Sequence, residues 1–272
     1  MALITISRSM GGGGMTIARH VAEELKMDLY DDHRLQEEAV KMDFRSEDLR
    51  NLNERAPGLF DRILGNKPEL YLDLIEAVVY KVARRGQGVI LGYGSQILLR
   101  DFGCALHVFI HATEPSRIKH MMDQQGLSQE MAKKLIHKSD NEKKKFLRYS
   151  FHMAWTDPSL YDLIINTGKI GIDSAVKLII ESARSQEINE CSLTAIDAME
   201  KLSQTKMIQA ELLKNNLNLS MLNVEVPEKG LAHITGWSHT EEDKGNVVEI
   251  VKGVHGISEV QPEVAIMPSA SY

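Results

Sequence analysis

The stretch LITISRSMGGGGMTIA, Leu3 to Ala18, reads as strand, glycine turn and helix. Leu3, Ile4 and Ile6 form a short apolar run that ends in the polar step Ser7-Arg8-Ser9. Gly11, Gly12, Gly13 and Gly14 follow. From Thr16 onward, Ile17, Val21 and Leu25 recur at helical spacing, with Ala18 and Ala22 beside them. A turn built of glycines lets main-chain N–H groups converge on one point, because no Cβ blocks approach or forbids positive φ. The helix N-terminus beyond it adds partial positive charge. Together they make an anion site, usually for phosphate.

The turn departs from the common phosphate-loop pattern. G-x-x-x-x-G-K-[ST] would put its first glycine at Arg8, its lysine at Gly14 and its hydroxyl residue at Met15. The expected shape is kept without the usual lysine.

Working outward, 272 residues suffice for one large domain or two smaller ones, and 43% hydrophobic residues can bury a sizeable core. No apolar run reaches the length of a membrane span, and the N-terminus has neither the basic region nor the apolar core of a secretory signal. Cys104 and Cys191 are too few for a disulfide framework or a structural zinc site, which fits a reducing cytoplasm. A net charge of -6 argues against broad nucleic-acid binding. There is no His-Glu-x-x-His pair and no Gly-x-Ser-x-Gly elbow, so zinc-protease and serine-hydrolase chemistry have no support.

Along the chain, apolar runs at Leu3–Ile6, Asp28–Tyr30, Val89–Leu91, Leu106–Ile110 and Leu163–Ile165 alternate with helical patterns. That alternation predicts a five-stranded parallel α/β sheet covered by helices on both faces. Residues 36–87 read as helical, broken at Pro57-Gly58 and at Gly65-Asn66-Lys67-Pro68. Asp31 and Asp32 follow the second strand, where they either face a ligand crevice or cap the next helix. Residues 128–148 are helical and lysine-rich, a pattern that usually marks a solvated face. After residue 185 a polar stretch, 186–205, reads as a helical linker. Residues 206–272 then read as helix, two strands, helix and strand, a small α+β unit.

Residues 1–185 resemble the cytidylate kinase-like family, a P-loop nucleoside monophosphate kinase branch. The resemblance is carried by ITISRSMGGGG, LYDDHRL, GVILGYGSQILLRD, LHVFIHATEPSRI, LSQEMAKKLIHKSDNEKKKFLR and DPSLYDLIINT, in that order. It implies transfer of the ATP γ-phosphoryl group to a nucleoside monophosphate, CMP-like, with Mg²⁺. By position, Gly11, Gly12, Gly13 and Gly14 would hold the donor phosphates, with Arg8 beside them. Thr16 would add a hydroxyl for phosphate and Mg²⁺, one place later than usual. Asp31, Arg34, Tyr93 and Arg100 mark the acceptor side. Among the catalytic candidates, Arg117 matches an arginine after the fourth strand, and Asp140, Lys143 and Arg148 match the lid that closes over the transferring phosphoryl group.

Family members similar to this chain read YDR at Tyr30-Asp31-Asp32 and GRG at Gly92-Tyr93-Gly94. They carry arginine at Met15 and at Lys143. Phosphoryl transfer depends on fixed positive charge, and lysine lacks the guanidinium fork. The departures therefore open a second reading, a catalytically weak or inactive nucleotide sensor. The C-terminal unit resembles a BON domain through LNVEV, LAHITGW and VKGVHGISEV. With five lysines against nine acidic residues over 205–272, it should not adhere to an anionic membrane by charge alone. Regulation, or homo-oligomer formation, is the role expected of it.

Overall fold

The structure, a computed structural model, describes residues 2–42, 68–188, 190–217 and 219–267. Its first sheet is built from β1 (Leu3–Arg8), β2 (Leu29–Tyr30), β3 (Gly88–Leu91), β4 (Ala105–His111) and β5 (Leu163–Asn166). The strands lie in the order β2-β3-β1-β4-β5, all parallel. The fold class expected from the sequence is the one observed.

Successive residues of each strand point to opposite faces, and both faces of the inner strands β1, β3 and β4 are buried. Ile4 and Ile6 of β1 join Val89, Leu91, Val108 and Ile110 on one face. Helices α1 (Gly14–Leu25) and α8 (Ile172–Ala183) cover that face through Ile17, Val21, Ala175 and Ile179. Leu3, Ile90 and Phe109 face the other way, under α2 (Asp32–Val40) and α3 (Pro68–Ala83). The predicted break at Pro57-Gly58, and Gly65-Asn66-Lys67 of the next one, lie outside the described residues; Pro68 opens α3. The remaining helices of this part are α4 (Ser95–Leu98), α5 (Glu114–Gln125), α6 (Gln129–Phe151) and α7 (Thr167–Ile170).

The chain leaves β1 toward β2 and β3 on one side and returns as β4 on the other. Ligands of open parallel sheets bind at such a reversal, beyond the carboxyl ends of the strands. The glycine turn sits there.

A second sheet follows helix α9 (Leu193–Lys214). It consists of β6 (Leu222–Glu228), β7 (Leu231–Ser238) and β8 (Glu259–Ile266), with α10 (Glu241–Lys252) joining β7 to β8. β6 and β7 pair antiparallel; β7 and β8 pair parallel.

Much of the stretch expected as a linker, 186–205, is the first part of α9, which runs unbroken past residue 205. Several of its polar residues make contacts with neighbouring elements. Ser203 Oγ donates to Ala77 O of α3 at 2.9 Å, and Lys206 Nζ sits 2.9 Å from Asp73 and 2.8 Å from Glu76. From the same helix, Gln204 donates to Gly256 O at 3.2 Å and accepts from Gly230 N–H at 3.3 Å. Met199, Met207, Ile208 and Leu212 of α9 belong to the same apolar core as Ile75 and Val78 of α3 and Val224, Ile234 and Val247 of the C-terminal unit. Each fully buried aliphatic side chain of this kind stabilises the fold by about 1.5–3 kcal/mol.

The two cysteines form a single disulfide, Cys104–Cys191, with Cα atoms 4.9 Å apart. It ties the turn before β4 to the segment before α9. Among the described residues no helix is long and apolar enough to cross a membrane.

Candidate functional site

The turn after β1 is pinned before any ligand arrives. Ser9 N–H donates to Ile110 O at 2.9 Å and Gly12 N–H to Ser9 O at 3.0 Å. Thr167 Oγ1 clasps the loop from the end of β5, donating to Gly12 O at 2.8 Å. Gly11 has φ 79°, and a Cβ there would come within 2.9 Å of Arg117 O. At Gly14 a Cβ would come within 2.6 Å of Arg8 Cβ. Close packing requires both glycines, and backbone shape also requires Gly11.

Gly13, with φ 75°, is the N-cap of α1 and supplies no side-chain cap. α2, α6 and α9 differ: Asp31, Ser128 and Ser192 cap them with side-chain oxygens. The first-turn N–H groups of α1, which have no intrahelical partner, are thus left for an anion. Above them lies a cavity of about 490 Å³. Gly11, Gly13, Gly14 and Thr16 form its floor, and Arg8, Lys138 and Lys143 are the cations on its walls.

The catalytic candidates Arg117, Asp140 and Lys143 lie beside this loop, and of the three Lys143 lines the cavity. Lys143 Nζ donates to Arg8 O at 2.7 Å and lies 5.8 Å from the centre of the Trp155 ring. Arg117, buried, donates to Met10 O at 3.4 Å. Its two terminal nitrogens grip both oxygens of Asp140, at 3.0 and 2.9 Å. α5 and α6 are also joined by Glu114 to His137 at 3.0 Å. Arg148 is exposed near the end of α6 and does not line the cavity.

The acceptor-side candidates do not gather with them. Asp31 caps α2, accepting from Arg34 N–H at 3.1 Å. The Arg34 side chain lies 3.3 Å from Glu37. Arg100 is exposed, 3.5 Å from Asp101. Tyr93 is buried against Leu35, Ile75 and Val78 with φ 59°, a backbone conformation that L residues rarely adopt. None of the four lines the cavity over the glycine turn.

Other residues around the cavity were not singled out from sequence. His120, Gln124 and Gln125 line it from α5. Counted from Arg117 they fall at i+3, i+7 and i+8, one helix face, so the spacing held the signal. Thr167 carried no such signal, because its role depends on where β5 ends beside the loop.

Residues 3–169, from β1 into α7, match the cytidylate kinase-like family. The chain belongs to that family. One relative, the cytidylate kinase of Staphylothermus marinus, is 26% identical over 182 residues, 66% of this chain and 96% of that one. A solved structure of an uncharacterized protein from Eubacterium ventriosum superposes with a TM-score of 0.51 at 24% identity, covering 68% of this chain and 100% of its own. A shikimate kinase from Acinetobacter baumannii superposes at 0.40 with 16% identity, covering 68% and 96%.

The protein is thus kinase-like in family. The cytidylate kinase-like match ends before α8, so α9 and the second sheet lie beyond it. Within the match, Gly11, Gly13, Gly14 and Lys143 line the cavity, Gly12, Arg117 and Asp140 do not, and Tyr93 is packed away from it.

Proposed function

We propose that this cytidylate kinase-like protein binds ATP at the glycine turn and transfers its γ-phosphoryl group to a nucleoside monophosphate, CMP-like. The observation that carries this is the cavity over the uncapped N-terminus of α1, with Arg8, Lys138 and Lys143 on its walls. In such a transfer a phosphate oxygen of the acceptor bonds to the γ-phosphorus while the bond to the ADP oxygen breaks. The chain's contribution is position and charge. Backbone N–H groups of the turn hold the donor phosphates. Lys143, fixed on Arg8 O and the Trp155 face, brings an ammonium to the rim of the loop. The sequence identity to a cytidylate kinase supports the acceptor class.

Mg²⁺ fits this site as an ion carried mainly by the substrate's phosphates. Thr16 offers a hydroxyl oxygen in the cavity, and among the described residues no group of three or more His, Cys, Asp or Glu could hold a metal. When bound, the ion supplies neutralisation of charge on the transferring group.

A second reading is a weak or inactive nucleotide sensor with its BON-like unit as output. The Arg117–Asp140 pair favours it, because a guanidinium already gripped by a carboxylate has less charge to offer a transferring phosphoryl group. Calorimetric titration with ATP, with and without Mg²⁺, tests the shared claim; saturable one-to-one binding is expected. A turnover assay with CMP, UMP, AMP and their deoxy forms then separates the readings. ADP release with CMP supports the kinase, and binding without turnover supports the sensor. No binding of any nucleotide would overturn both.

A further inference from the structure

A second cavity, of about 240 Å³, lies where α3, α9 and the C-terminal unit meet. Lys81 and Arg84 enter it from α3, Glu200 and Gln204 from α9, Lys229 from the β6–β7 turn and His255 from the turn before β8. It shares no lining residue with the cavity over the glycine turn.

Its charges do not balance. A single carboxylate oxygen, Glu200 Oε1, serves both Arg84 and Lys229, the latter at 3.1 Å. Among the described residues no carboxylate lies within ion-pair distance of Lys81. Burial, and then the neighbouring Arg84, push the Lys81 ammonium below its usual value. Three cations and a histidine therefore surround one shared carboxylate at an interface between elements. An anion entering there gains from all of them at once.

Size narrows the class. The cavity is smaller than the roughly 300–1,000 Å³ that whole cofactors and drug-sized ligands occupy. A phosphate group fits that limit better than a complete nucleotide.

We propose that this junction is a binding site for the phosphate group of a small soluble phosphomonoester, whose entry clamps the C-terminal unit to α3. The cations come from the kinase-like part and from the β6–β7 turn, so one dianion bridges the two. Gln204, bonded to both Gly256 and Gly230, already marks the line along which they meet. The proposal stands whether or not the glycine turn transfers phosphoryl groups.

Calorimetric titration of the full chain with inorganic phosphate and with glycerol 3-phosphate, at constant ionic strength, tests it. Lys81→Gln and Lys229→Ala should each weaken phosphate about tenfold, the value of one charge-assisted hydrogen bond. Lys229 is exposed on a turn, so that variant should keep the fold. Glu200→Gln removes the competing carboxylate and should tighten phosphate several-fold, which a merely structural role would not do. Lys252→Ala, exposed on α10 and outside both cavities, should leave this binding unchanged. Unaltered phosphate affinity in both lysine variants would overturn the proposal. Lys229-dependent co-sedimentation with vesicles of phosphatidylcholine and phosphatidic acid, without binding of glycerol 3-phosphate, would overturn the soluble ligand.

Discussion

Arg117 and Asp140 hold each other through two parallel contacts, at 3.0 and 2.9 Å, beside the glycine turn, where Arg117 also donates to Met10 O. Asp140→Asn keeps an acceptor and removes the counter-charge. We expect ATP affinity to rise several-fold, because the freed guanidinium already reaches the loop at Met10 O. Stability should fall by about 2 kcal/mol, between the values for surface and buried pairs. Calorimetry and urea unfolding read the two effects separately. Lower stability with unchanged affinity would make the pair a clamp between helices and nothing more. The sequence showed both residues, 23 positions apart, and the resemblance implied a catalytic role for each, Arg117 after the fourth strand and Asp140 in the lid. It could not show their pairing, which exists only once α5 and α6 fold against each other. Tyr93 is a parallel case: its position at the end of a strand was readable, whereas its burial between α2 and α3 depends on how those helices pack.

At the scale of elements, α3 and α9 share an ionic seam with too few cations. Lys206 stands between Asp73 and Glu76, one ammonium for two carboxylates. Burial first, then Glu76 and Glu69, push Asp73 up to about 6 from 3.8, against the pull of Lys206. A folded value above the unfolded one means that the folded state binds this proton more tightly. The stabilisation is complete below about pH 4 and is lost as pH rises toward 6, with a full size of about 3 kcal/mol. Subtracting the pH–stability curve of Asp73→Asn from that of the native chain should reveal a loss of this sign and window. Parallel curves would refute it. This seam also explains why α9 was hard to read. Ser203 and Gln204 look like a solvated linker in sequence, and Lys206 starts the amphipathic helix expected after it, yet each has its partner on a neighbouring element. The first sheet was easier, because continuous apolar runs such as Val89–Leu91 and Leu106–Ile110 announce strands buried on both faces.

Over the whole molecule, the apolar core of α3 continues through α9 into the second sheet. Heating should therefore give one cooperative transition by calorimetry. A fragment ending at residue 185 should aggregate, because it bares the face of α3 that α9 covers. Two well-separated transitions would instead mean a loosely docked unit. The bond between Cys104 and Cys191 has a different consequence. It closes the chain into a loop that contains β4, α5, α6, β5, α7 and α8, the lid included. A cut anywhere inside that loop opens a ring without releasing a piece. Trypsin cleavage at exposed Lys144 on α6 should leave a protein that migrates intact on a non-reducing gel and splits in two when thiol is added. Such a ring could have its lid severed and still keep every part of the kinase-like sheet covalently attached.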